Sequence, residues 1–195
     1  MFYQRKANRL KTFNYNLSGT YFITICTKNR APILSTIVGA GSARPDTGSA
    51  RPDDESIYPH IVLTPLGEIV EKYIIDIHEY YPNIVIDQYV IMPDHVHLLL
   101  TILSASVSDG RDMSAAGRES AFVTDGRANP APTVGNVIGR FKFLTTKEMA
   151  NYLNISDNHI WQRSYHDHII RDEQDYFNTW NYINENPLRW IQKYL

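Results

Sequence analysis

The sequence predicts a mixed α+β domain, and three observations carry that reading. Short β-branched and aromatic runs alternate with longer stretches of helical periodicity. Two of the runs adjoin across a turn signal, and the last helical stretch follows the last strand. The chain has 195 residues and is 43% hydrophobic, enough to fill the core of one domain.

Residues 20–27, TYFITICT, read as a strand. Residues 65–81 set Leu66, Ile69, Val70, Tyr73, Ile74, Ile77 and Tyr80 at helical spacing, with Thr64 as N-cap and Pro65 at the first helical position. Residues 84–92, IVIDQYVIM, and 95–103, HVHLLLTIL, are strands either side of Pro93-Asp94, which makes 84–103 a hairpin. Residues 133–153 carry Val134, Val137, Ile138, Phe141, Leu144, Met149 and Tyr152, again at helical spacing. Residues 164–171 form a short strand. A last helix, 172–186, opens on Asp172, Glu173 and Asp175, charges that favour a helix N-terminus, and ends before Pro187. The order β-α-β-β-α-β-α matches the split βαβ, ferredoxin-like arrangement with an added C-terminal helix.

Two segments differ from this body. Residues 39–56 contain the hexamer GSARPD twice, and residues 104–132 are equally rich in Gly, Ala, Ser, Pro and Asp. Such composition buries too little surface to offset its ordering entropy, so both read as flexible insertions in a single domain spanning 1–195. Together they carry a net charge of −3 against −2 for the whole chain, which leaves the rest at +1. That balance excludes a globally basic DNA-coating protein but not a local basic face. Arg5, Lys6, Arg9 and Lys11 form such a cluster, with no acid among the first eleven residues; it fits a polyanionic partner or an ordinary solvated tail. A lone cysteine, Cys26, excludes a disulfide framework and reads as a small core residue. No apolar run approaches a membrane span and no secretory signal opens the chain, so the expected compartment is the cytoplasm.

Chemistry concentrates in three places. His95 and His97 alternate with Val96 on a strand, so both imidazoles leave one face and can share a cation. His166 and His168 form a rival pair, and either pair also reads as polar sheet-surface histidines. On the last helix Tyr182 and Asn186 lie one turn apart, with Asn178 on the same polar stripe, while Phe177, Trp180 and Ile183 are core candidates. Finally, Arg163 and Arg171 can bind phosphate beside Trp161, which either stacks on a base or anchors the core. Arg140, Lys142 and Lys147 on the preceding helix are further candidates for phosphate contacts.

Several blocks in order resemble the REP-associated tyrosine transposases, a branch of the HUH single-strand nucleases in the Y1 transposase superfamily. They are GTYFITICTKNR at 19–30, YPNIVIDQYVIMPDHVHLLL at 81–100, VGNVIGRFK at 134–142, IWQRSYHDHIIRDEQDY at 160–176 and NYINENPLRW at 181–190. The resemblance implies the HUH fold, a central antiparallel sheet with helices. It implies Tyr182 as nucleophile and His95, His97 and Asn186 as ligands of Mg²⁺ or Mn²⁺, with His168 near the site. It further implies metal-dependent cleavage and rejoining of single-stranded DNA hairpins through a 5′-phosphotyrosine, by a monomer, although related insertion-sequence transposases are dimers. Two readings compete with it. One is a non-catalytic ferredoxin-like module gripping single strands, which needs exposed aromatics on the sheet. The other is a zinc hydrolase using His95, His97 and His168.

Overall fold

The computed structural model describes residues 18–39, 59–104, 133–155 and 159–194. In chain order these form β1 (Gly19–Cys26), a 3₁₀ turn (Lys28–Arg30), β2 (Ser35–Val38), β3 (His60–Leu63), α1 (Pro65–Ile75), α2 (Ile77–Tyr80), β4 (Ile84–Met92), β5 (His95–Ile102), α3 (Val134–Leu153), β6 (His166–Ile169) and α4 (Glu173–Tyr194).

β4, β5, β1 and β6 hydrogen-bond in that order, every pair antiparallel. This is the ferredoxin-like strand order. β5 lies inside the sheet and is buried along nearly its whole length, because both of its faces are covered. Leu98 and Leu100 join Val70 and Ile74 of α1 and Val137 and Ile138 of α3 in one cluster. Leu99 turns the other way and meets Val90, Met92 and Ile183 of α4. Each such leucine stabilises the fold by about 1.5–3 kcal/mol relative to exposure. The sheet is therefore a septum, with α1 and α3 on one side and α4 on the other. The registers Thr24↔His97 and Cys26↔His95 set the two histidines at the end of the sheet where β1 stops.

α1 is fixed at its start. The Thr64 hydroxyl accepts from Gly67 N (3.1 Å), and Thr64 N donates to Leu34 O (3.0 Å). A Cβ on Gly67 would stand 2.0 Å from Leu34 O, so only glycine lets the helix approach that carbonyl. Across the helix pair, Glu148 of α3 takes hydrogen bonds from Tyr73 Oη (2.7 Å) and Lys72 Nζ (3.0 Å) of α1.

The structure departs from the sequence reading at several points. The helix expected over 65–81 is divided at Asp76 into α1 and α2. The strand expected over 164–171 shrinks to four residues. The last helix does not stop at residue 186 but runs to Tyr194 with Pro187 inside it. Proline forfeits one main-chain hydrogen bond there. The continuation offsets that loss by burying Pro187 and packing Trp190 against the second cluster. β2 and β3 form a hairpin that the sequence did not suggest. Phe177, read as core, is 52% exposed, whereas Ile183 is 1% exposed. The insertions, beyond Gly39 and Ser104, lie outside the described residues, as do Arg5, Lys6, Arg9 and Lys11. Among the described residues no helix is long and apolar enough to cross a membrane.

Candidate active site

The two-residue period of β5 brings His95 and His97 together, with Nε2 to Nε2 3.1 Å apart. The outer nitrogens are both held. His95 Nδ1 lies 2.5 Å from Asp94 Oδ1, and the other oxygen of that carboxylate takes Arg30 Nη1 at 3.4 Å. His97 Nδ1 lies 2.9 Å from Thr24 Oγ1 on the neighbouring strand.

These partners act differently on the two rings. A carboxylate only accepts, so Asp94 fixes the proton of His95 on Nδ1 and leaves the Nε2 lone pair free. A hydroxyl donates or accepts, so Thr24 suits either tautomer of His97. With His95 protonated on Nδ1, the 3.1 Å contact has His97 Nε2–H donate to His95 Nε2; a cation held by both rings would require the other His97 tautomer, in which Thr24 Oγ1 would accept from Nδ1–H. Burial pushes the His97 imidazole down to about 3, aided by the charges of His95 and Arg30. Burial also lowers His95, against the opposing pull of Asp94. Both rings are therefore neutral at pH 7, the form a metal ligand needs.

α4 covers this pair. The Tyr182 ring stands 5.4 Å from that of His97, centroid to centroid, and meets Phe22 edge-on at 5.8 Å. Asn186 is buried and lines the same cavity, which has a volume of about 560 Å³. The Arg189 guanidinium carbon lies 5.4 Å from the Tyr182 ring centre, and its nitrogens reach Glu185 at 2.8 Å. Among the described residues, Arg30, Arg189 and Lys193 line the cavity against one carboxylate, Asp94. The rim is rich in cations, with a phenol beside two converging nitrogens. Two imidazoles with their outer nitrogens anchored, beside the Asn186 amide in the cavity wall, have the donor chemistry that suits a divalent cation of borderline hardness.

Other residues singled out in the sequence fall elsewhere. His168 lies on the same sheet face, two strands from His97, with Nε2 2.9 Å from Asp175. Asp175 thus holds the histidine that the zinc-hydrolase reading requires as a ligand. Among the described residues no group of three or more His, Cys, Asp or Glu is placed to hold a metal. Trp161 is buried, and its indole N–H donates to Thr145 Oγ1 (2.9 Å), so its ring is part of the core and does not present a face to a base. Lys142 was read as an exposed phosphate contact. Its ammonium instead donates to Gln162 O (2.7 Å) and Ser164 O (2.9 Å), and burial brings its pKa down to about 8. Arg140 sits over the Tyr80 ring at 4.4 Å. Arg163 and Arg171 are exposed, and Cys26 is buried, its thiol pushed up by burial.

Sequence reasoning missed Arg30, Asp94, Arg189 and Lys193. Asp94 was visible only as a turn residue. Arg189 and Lys193 continue the Tyr182–Asn186 stripe at helical spacing, a signal hidden by ending the helix at Pro187. Arg30 owes its place to two successive left-handed residues, Asn29 (φ 56°) and Arg30 (φ 55°), which no pattern announces.

Fold and site together define an antiparallel α+β domain of ferredoxin-like strand order, with a His-x-His pair and a helical tyrosine at one cavity. The chain is 31% identical over 198 residues to a Haemophilus influenzae protein described as uncharacterized, covering 99% of this chain and 93% of that one. It belongs to the same family as that protein. No family model matches the sequence. Among solved structures it is similar to a REP-associated tyrosine transposase bound to a REP hairpin, with 17% identity, a TM-score of 0.49, and coverage of 93% of this chain and 74% of that one. A second is a provisionally assigned transposase from Deinococcus radiodurans R1, with 14% identity, a TM-score of 0.41, and coverage of 91% and 95%.

Proposed function

We propose that this protein cleaves and rejoins single-stranded DNA at hairpin sequences through a covalent phosphotyrosine, as a transposase-type nuclease. The observation that carries the reading is the convergence of His95, His97, Asn186 and Tyr182 on one cation-rimmed cavity, supported by the ordered sequence blocks around them.

His95, His97 and Asn186 would hold the divalent cation, Mg²⁺ or Mn²⁺, which when bound offsets charge on the oxygens of the scissile phosphate. Arg30, Arg189 and Lys193 attract the polyanionic strand and hold its phosphate at the cavity mouth. Tyr182 Oη then forms a bond to phosphorus as the bond to the 3′ oxygen breaks. The phenol proton leaves to solvent, and the departing oxygen takes one up as a free 3′-OH. The 5′-phosphotyrosine retains the energy of the broken diester, so rejoining consumes no nucleotide cofactor. A single strand suits the site because its backbone bends to present one phosphate, which a stiff duplex does not.

The test is covalent trapping. Labelled hairpin oligonucleotides from DNA flanking the gene are incubated with the protein and Mn²⁺ or Mg²⁺, then resolved on denaturing gels. A metal-dependent adduct that Tyr182→Phe lacks supports the reading. Tight hairpin binding with no adduct would replace it with a non-catalytic binding module.

A further inference from the structure

We propose a second DNA-binding groove between α3 and the segment 159–163, in which Phe143 stacks on a base while Lys147 and Arg163 hold the neighbouring phosphates. The inference rests on the single-stranded DNA reading above and adds a contact surface on the opposite side of the sheet.

α3 has two faces. Val137, Ile138, Phe141, Thr145 and Met149 are buried against the sheet. Phe143 and Lys147, one turn apart, face away from it, and Phe143 is 66% exposed. An aromatic ring left in water at such a position has no part in the core. Together with 159–163 this outer face walls a cavity of about 470 Å³. Among the described residues no carboxylate lines it, whereas Lys142, Lys147 and Arg163 do. An apolar ring between cations is the arrangement that takes successive bases and phosphates. An acidic protein segment would find the charges but no use for a flat ring beside them.

The floor of the groove is rigid. Lys142 Nζ donates to the carbonyls of Gln162, within the segment, and Ser164, just after it, and the Trp161 indole N–H donates to Thr145 Oγ1 from beneath. Lys142 and Trp161, two of the DNA contacts that the sequence offers, are thus supports for the residues beside them.

The groove also has a fixed relation to the catalytic cavity. Gln162 N donates to Cys26 O (2.9 Å) and Thr27 bridges Trp161, while Cys26 is the register partner of His95. Both cavities therefore lie at the same end of the sheet, on opposite faces. One strand passing round that end reaches both, so the groove holds DNA continuous with the scissile segment.

The experiment uses the full chain carrying Tyr182→Phe, without metal, and hairpin oligonucleotides with single-stranded extensions of increasing length, followed by fluorescence anisotropy. Phe143→Ala should weaken binding about fivefold or more once the extension is long enough, and Phe143→Leu, which keeps apolar bulk, should not restore it. Lys147→Ala with Arg163→Ala should lower the salt slope by about 1.4. In the Tyr182 background, all these variants should still form the adduct at saturating oligonucleotide. Unchanged affinity and salt slope in the groove variants, with adduct formation intact, would overturn the groove alone. Neither binding nor adduct by the unaltered protein would overturn the nuclease reading and the groove with it.

Discussion

Asp94 Oδ1 stands 2.5 Å from His95 Nδ1, so the residue beside the histidine pair fixes the tautomer of its first ring. The same carboxylate faces Arg30, which makes it the joint between the pair and the cavity's cationic rim. Removing it as Asp94→Ala should weaken Mn²⁺ binding by roughly 10- to 100-fold, the usual cost of losing such an outer partner. Calorimetric titration with Mn²⁺ checks this; unchanged affinity would show that His95 needs no such orientation.

The position of Tyr182 depends on how α4 docks. Ile183, the neighbouring residue, is buried against Val90, Met92 and Leu99. Ile183→Ala should cost about 2–4 kcal/mol in urea unfolding, with adduct formation falling because the helix no longer seats its tyrosine. Full activity in a destabilised protein would mean that α4 is held elsewhere.

The α1–α3 contact has a pH signature. Hydrogen bonds from Tyr73 and then Lys72 hold the Glu148 carboxyl below its usual 4.5. The unfolded chain therefore takes up this proton first, so the stabilisation is present above pH 4.5 and is lost as pH falls through the folded value. Tyr73, pushed up to about 12 mainly by its bond to Glu148, stays protonated throughout. Glu148→Gln should lower Tm by roughly 2–5 °C at pH 7, and the gap from the parent should close in acid. A gap that does not narrow as the pH falls below 4.5 would contradict the assignment.

The basic tail offers a separate electrostatic test. Neutralising Arg5, Lys6, Arg9 and Lys11 should reduce the salt slope of oligonucleotide binding by roughly 3 if all four contact phosphate. An unchanged slope would remove the tail from the interface.

Much of this was legible because local rules governed it. The two-residue period of β5 put both histidines on one face, and the four-residue step on α4 put Tyr182 and Asn186 on another. Thr64 and Pro65 announced α1 through capping. What was not legible depended on partners distant in sequence. β2 and β3 pair across a long separation, and each is only four residues long. Whether Trp161 faced a base or the core turned on Thr145 lying beneath it. Pro187 misled because its cost was visible in the sequence while the compensating burial of the following turn was not.

The central claim is that Tyr182 is the nucleophile of a metal-dependent strand cleavage. The most direct measurement is the mass of the adduct formed on a hairpin oligonucleotide with Mn²⁺, with the modified residue located by peptide mapping. The account predicts a DNA 5′-phosphate on Tyr182, a free 3′-OH on the released strand, and no adduct with chelator or Tyr182→Phe. An adduct on another tyrosine, or cleavage that survives both Tyr182→Phe and chelation, would contradict it.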